Sequence, residues 1–255
     1  MSLLATIEAC YDAIPRVAAT VEEVGPFTLF RADPGTGWQF YARPRLGLTA
    51  PVSADDVRRV LARQRDLGVP RALEWLHEVT PSLGAAVEAA GVGGDLERCP
   101  LLALPPDAVV PAPDGPGHYE VMTGDHPDLP MVLGAVDAAF HHTDDVSPGE
   151  PGVRPRLLDA GALVVVTAYD ETGAVVGGGS AAPRGGAAEL MGIATIPSAR
   201  GRGHGDAVTR TLVRAVRARG VDTVFLSAGS DTAADLYRRA GFLDVGVAML
   251  LDVGS

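Results

Sequence analysis

The chain has 255 residues, 47% of them apolar and 21% charged, with a formal net charge of −11. That length allows one large or two small domains with real cores. The acidic balance argues against a general nucleic-acid binder, which needs a face that neutralises phosphates. No apolar run approaches the roughly 20 residues that span a bilayer, so no membrane partner is expected. The opening MSLLATIEACYDAIP carries Glu8 and Asp12 and no basic stretch, unlike a signal peptide. The two cysteines, Cys10 and Cys99, supply neither a disulfide framework nor a cysteine-rich zinc site. No metal site and a reducing, cytoplasmic setting are expected. Lysine and asparagine are absent, which removes both a Schiff-base lysine and the lysine of a P-loop.

In chain order, Trp38, Phe40 and Tyr41 are expected in a core rather than in the wall of a site. Asp55–Leu67 has apolar residues at helical spacing and stops at Gly68. Ala72–Leu76 resembles a strand, Ser82–Ala90 a helix stopped by Gly91, and Leu101–Leu104 a strand. Residues 105–117, PPDAVVPAPDGPG, can continue neither a helix nor a central strand. They read as a linker between domains at 1–104 and 118–255. Beyond it come a strand at Tyr119–Met122, a helix at Leu129–Phe140 and a polar loop at His141–Glu150. Ala162–Tyr169 and Val175–Ala181 are strands joined by the turn Asp170-Glu171-Thr172-Gly173, and Ala188–Ile196 is a third strand. A helix beginning near Asp206 carries Val208, Leu212, Ala215 and Val216 on one face and ends at Gly220. Thr223–Ala228 is a strand, Thr232–Ala240 a helix stopped by Gly241, and Val245–Leu251 a strand. Helix-Gly, strand, helix-Gly, strand therefore occurs twice, at 55–104 and at 206–251. This reads as an internal duplication, although such alternation also arises in unrelated α/β chains.

The chemistry concentrates in Arg200-Gly201-Arg202-Gly203-His204-Gly205-Asp206, between the strand ending at Ile196 and the long helix. Glycines allow positive φ and close approach of a ligand. The first amides of a helix lack intrahelical partners and lie at the positive end of its dipole. Such a loop suits a phosphate or diphosphate, and two guanidinium groups add fork-shaped donors. A P-loop needs lysine. A dinucleotide fingerprint needs G-x-G-x-x-G, whereas the spacing here is G-x-G-x-G.

The segment LMGIATIPSARGRGHGDAV resembles the central strand, Arg-x-x-Gly-x-Gly loop and following helix of the GCN5-related N-acetyltransferases. Ala234-Asp235-Leu236-Tyr237-Arg238-Arg239-Ala240-Gly241-Phe242 is similar to that family's Leu-Tyr-x-x-x-Gly-Phe signature. The likeness covers roughly 118–251, and the first half fits the degenerate copy of tandem members. It implies an α/β chain of the α+β type with two such domains. Each would hold a mixed, mostly antiparallel sheet flanked by helices, with a splayed strand pair in the C-terminal one. It implies an N-acyltransferase that takes acetyl-CoA, or another acyl-CoA, as co-substrate. The backbone of Ile193, Ala194 and Thr195 would pair with the pantetheine arm, and the amides from Gly201 through Asp206 would hold the diphosphate. Arg200, Arg202 and His204 belong to the same loop; for His204 a solvent-facing side chain is the plainer expectation.

By the same resemblance Tyr237 is the general acid that protonates the departing thiolate; the alternative is a core tyrosine with its hydroxyl satisfied. Glu189 is the candidate general base; the alternative is a solvated carboxylate at a strand end. Many relatives carry Asn seven residues before the tyrosine, where this chain has Ser230, which can still cap a helix and bond the pantetheine. His141 and His142, beside Asp144 and Asp145, either form a polar acceptor pocket or are ordinary surface. In the first half no glycine loop precedes the Asp55 helix, and Val87 stands at the position matching Tyr237, so that copy is expected to bind no CoA. The acceptor is a small-molecule amine or a protein amine, and the chain a monomer or homodimer. The rival reading is a non-catalytic acyl-CoA sensor or regulatory module.

Overall fold

The computed structural model describes residues 2–254. In chain order it holds α1 (Leu3–Ala13), β1 (Ala19–Val24), β2 (Phe27–Ala32), β3 (Arg43–Pro44), α2 (Ala54–Asp66), β4 (Ala72–Leu76), α3 (Ser82–Ala90) and β5 (Asp95–Leu104). There follow β6 (His118–Val121), α4 (Leu129–Phe140), α5 (Arg154–Asp159), β7 (Val164–Tyr169), β8 (Val175–Arg184) and β9 (Ala187–Thr195). The remaining elements are α6 (His204–Arg217), β10 (Thr223–Ser227), α7 (Asp231–Arg239) and β11 (Leu243–Asp252). Two compact units emerge. One comprises the residues up to Leu102 with Ser227–Asp235 and the stretch from Leu243; the other comprises Ala103–Leu226 and Leu236–Phe242. No helix among the described residues is long and apolar enough to cross a membrane.

In the first unit, β1, β2 and β3 form a small antiparallel sheet, and a second sheet runs β4-β11-β5. Helix α2 shows why the amphipathic pattern folds as it does. Val57, Val60, Leu61 and Gln64, at i, i+3, i+4 and i+7, are all buried. Val57, Val60 and Leu61 share one core cluster with Leu83 and Val87 of α3, Leu73 and Trp75 of β4, and Met249 and Leu251 of β11. Each such aliphatic side chain contributes about 1.5–3 kcal/mol by leaving water. Gln64 satisfies its amide by donating to the Ala72 carbonyl at 2.8 Å. Strand β11 pairs antiparallel with β4, Ala248 opposite Leu76 and Asp252 opposite Ala72. The sequence suggested that β11 would sit with the C-terminal domain; its Met249 and Leu251 instead complete the core under α2 and α3. Trp38, Phe40 and Tyr41 differ from expectation too. They are half-buried, Trp38 and Phe40 meeting edge to face at 6.1 Å, because they lie in irregular chain between β2 and β3.

In the second unit the strand order is β10-β9-β8-β7-β6, parallel between β10 and β9 and antiparallel elsewhere. The whole is an α+β arrangement with a mixed sheet flanked by helices. All six residues of β7 are buried, which explains its continuous apolar run. Three consecutive glycines in β8 set how closely the helices pack. A Cβ on Gly178 would lie 2.4 Å from Val132 of α4, and one on Gly179 would lie 3.1 Å from Val208 of α6. Successive strand residues face opposite ways, so α4 and α6 cover the two faces of β8. Helix α5, preceded by a loop, carries Pro155 in its first turn and was not anticipated from the pattern.

Candidate functional site

Strand β9 is bonded along its length by β8, with Gly177 opposite Thr195 and Gly178 opposite Ala194, but Ser180 opposite Met191. Gly192 and Ile193 therefore bulge opposite Gly179, and Gly192 takes φ +58. On the other side β10 pairs with β9 over only Thr223–Ala187, Val224–Ala188 and Phe225–Glu189. Beyond Glu189 the two strands part. Residues 190–195, including Ile193, Ala194 and Thr195, present an edge not bonded to β10, and the strand runs straight into the glycine loop.

Gly201 and Gly203 take φ +73 and +97, in the left-handed region that glycine enters without steric cost. Gly203 is the N-cap of α6, and no side chain caps that N-terminus. Its free amides are thus left for an anion. Helix α2, in the first unit, is closed at its N-terminus. Ser53 accepts from the Asp56 amide at 3.2 Å, and the Asp56 carboxylate accepts from the Ser53 amide at 3.1 Å. Asp55 and Asp56 also put negative charge where an anion would sit. Val87 lies buried in the core of that unit.

The loop's charged residues divide their work. Arg200 donates to the carbonyls of Thr195 at 3.0 Å and Ala139 at 2.7 Å, and lies 3.3 Å from His142 Nδ1. It ties the end of β9 to the C-terminus of α4. Arg202 makes a loose contact to Glu171, at 3.7 Å and half-exposed, which is worth little. Asp206 bonds Arg210 one turn on, at 2.6 Å. Gly205 lies where a Cβ would come 3.6 Å from Leu236, so the helix bearing Tyr237 passes beside the loop.

His204 corrects the expectation of a solvent-facing side chain. It is 1% exposed, and its Nδ1 lies 2.9 Å from the hydroxyl of Tyr119 on β6. Burial and the Arg202 charge lower its pKa below the ordinary value, so it is neutral. Tyr119 was not singled out from sequence. Its only signal was an aromatic residue two positions after the Pro- and Gly-rich stretch.

Tyr237 on α7 packs its ring edge-on against Phe242 at 5.9 Å, and burial raises its hydroxyl pKa to about 12. The phenol holds its proton throughout the neutral range. Glu189 is half-buried at the last residue pair before the strands part. Ser230 belongs to the first unit, where its hydroxyl accepts from the Ala233 amide at 3.2 Å at the start of α7. His141, His142 and Asp144 fasten the loop after α4. His141 Nδ1 is 3.0 Å from the Asp137 carbonyl, and His142 reaches Arg200. Asp144 accepts from the Ser198 amide at 2.8 Å, a bond that lowers its pKa. Among the described residues no group of His, Cys, Asp or Glu side chains is placed to hold a metal ion.

Residues 135–242 match the family model of the acetyltransferase (GNAT) family. No curated protein matches the sequence significantly. Among solved structures, a GCN5-related N-acetyltransferase from Kribbella flavida is 20% identical over 100% of this chain and 97% of its own, with a TM-score of 0.74. A GCN5-related N-acetyltransferase-like protein from Streptococcus suis is 13% identical over 98% of each chain, with a TM-score of 0.57. A tandem GNAT protein from the clavulanic acid biosynthesis pathway is 17% identical over 90% of this chain and 79% of its own, with a TM-score of 0.51. At these identities the structures speak for the fold, and the family model matches the segment that holds the loop and the signature tyrosine.

Proposed function

We propose that the chain is an acyl-CoA-dependent N-acyltransferase, with acetyl-CoA the default donor and a primary amine the acceptor. The observation that carries this reading is the parting of β9 from β10 after Glu189, on a path that ends at the uncapped N-terminus of α6. The free edge of Ile193, Ala194 and Thr195 would bond the pantetheine arm as an added strand. The amides from Gly201 through Asp206 and the Arg202 guanidinium would hold the diphosphate. Arg200 serves by fixing the loop's entry. The donor supplies an activated acyl group as a thioester.

In this reading Glu189 takes a proton from the ammonium of the acceptor, directly or through water. The amine then attacks the acyl carbonyl, a strand amide stabilises the oxyanion, and Tyr237 protonates the departing thiolate. A phenol with a pKa near 12 keeps its proton throughout the neutral range and so has one to give. The first unit would be a degenerate copy that binds no CoA, given its capped α2 and the buried Val87. The recurring order α2-β4-α3-β5 and α6-β10-α7-β11 supports this duplication.

The test is release of free thiol from acetyl-CoA with a panel of small amines and amine-bearing peptides. Turnover that Tyr237→Phe lowers by at least about tenfold supports the enzyme. CoA-dependent thermal stabilisation without turnover for any acceptor would make the protein a sensor, and no CoA binding at all would remove both readings.

A further inference from the structure

His204 is the first residue of α6, directly after Gly203, yet it is almost wholly buried. Its ring meets that of Tyr119 at 5.9 Å, tilted by 57°. The Tyr119 hydroxyl lies 3.0 Å from the carbonyl oxygen of Pro116 as well as 2.9 Å from His204 Nδ1. A carbonyl only accepts, so the phenolic hydrogen goes to Pro116 and the phenolic oxygen accepts the hydrogen on Nδ1. This assigns the Nδ1–H tautomer. Nε2 is then a bare acceptor, buried and without a partner among the described residues. Gly115 makes the arrangement possible, because a Cβ there would lie 2.4 Å from the phenolic oxygen.

The bond closes one end of a longer fastening. Residues 105–117 run along α6 from its last turn to its first. Arg217 donates to the carbonyls of Pro105, at 2.6 Å, and Ala108, and Arg214 donates to that of Val110 at 3.5 Å. At the other end, a Cβ on Gly203 would lie 4.0 Å from the Asp114 carbonyl and from Pro116. The glycine loop, which has few side chains of its own to hold it, is backed by this segment and by β6.

We infer that Tyr119 and His204 are positioning residues for the anion loop: from behind, they hold the α6 N-terminal amides in the geometry that receives a diphosphate. The inference rests on the reading of that loop as the CoA diphosphate site. A loop already held in its binding geometry avoids the cost of ordering when the ligand arrives. Without the Tyr119 hydroxyl the same amides remain, but they must be fixed at binding, and His204 is left with both ring nitrogens unsatisfied. The loss corresponds to roughly tenfold in affinity.

The experiment is calorimetric titration of the full chain with CoA and with pantetheine, which lacks the diphosphate. Tyr119→Phe should weaken CoA binding about tenfold and leave pantetheine binding within about twofold. His204→Leu should match it. His204→Asn, whose amide nitrogen can stand in for Nδ1, should recover most of the CoA affinity. Unchanged CoA affinity in Tyr119→Phe, or no recovery with Asn relative to Leu, overturns the inference while leaving the loop reading intact. A general loosening that weakens both ligands equally overturns it as well. Wild-type protein that binds no CoA overturns the reading of the loop itself. Should Tyr119→Phe fail to fold, the Asn and Leu variants of His204 decide alone.

Discussion

Phe225 is the last residue of β10 to pair with β9, and the residue it faces there is Glu189. Glu189 thus stands at the fork of the two strands, where bonded sheet gives way to an open edge. If it is the general base, Glu189→Gln should lower the turnover number by about a hundredfold or more and leave the affinity for CoA unchanged. Steady-state kinetics beside a CoA titration would show the split. A fall in CoA affinity with unchanged turnover would move Glu189 out of the chemistry.

The hydroxyl of Tyr237 is held at about 12 by burial. Its folded value therefore lies above the unfolded value of about 10. The associated stability is complete below pH 10 and is lost as the pH rises toward 12. Urea unfolding at a series of alkaline pH values should show wild-type stability falling by up to about 1.4 kcal/mol per pH unit from this group alone. Tyr237→Phe should remove that part of the slope. Tyr169, also raised to about 12 by burial and by its 2.8 Å bond to Asp128, should keep a residual slope in the variant.

Arg200 bridges the end of β9 and the C-terminus of α4 through two carbonyls. Arg200→Ala should cost about 1–3 kcal/mol by leaving those bonds unmade, read as a fall in the melting temperature. Arg200→Lys should not restore it, since a single ammonium on a flexible stem cannot reproduce the planar fork.

Two glycine substitutions should act in opposite directions. Gly178→Ala puts a Cβ 2.4 Å from Val132 and 2.6 Å from the Val166 carbonyl, and should destabilise by roughly 1–3 kcal/mol or more. Gly84→Ala, inside α3 with open space around it, should stabilise by about 0.5–1 kcal/mol. Denaturant unfolding of the two variants beside wild type reads both.

Local pattern was enough where local forces decide. The apolar spacing and flanking turns placed α4 at Leu129–Phe140, and β4 and α3 likewise fall at the residues their sequences suggest. The glycine loop before α6 was legible because few side chains intervene between its composition and its backbone. What failed to show is decided at a distance. His204 reads as polar and loop-borne, and only Tyr119, far away in sequence, makes it a buried residue. The Arg214 and Arg217 side chains look like a solvated helix face until the carbonyls of 105–110 are laid against them. The triple glycine of β8 looks like a weak strand, and its meaning lies in the two helices that close on it. Before α2, the small sheet of β1, β2 and β3 left little periodic trace in its short strands.

The pairing of β4 with β11 has a consequence for how the protein is made. Residues 72–76 leave the ribosome long before residues 248–252, which they must meet. The first unit therefore cannot close its core during its own synthesis. It waits, with Leu73 and Trp75 lacking Met249 and Leu251, until the whole second unit has emerged. Long-range pairing of this kind folds slowly and leaves apolar surface open meanwhile. Shortening the chain before Leu243 would thus strike the half of the molecule farthest from the cut in sequence.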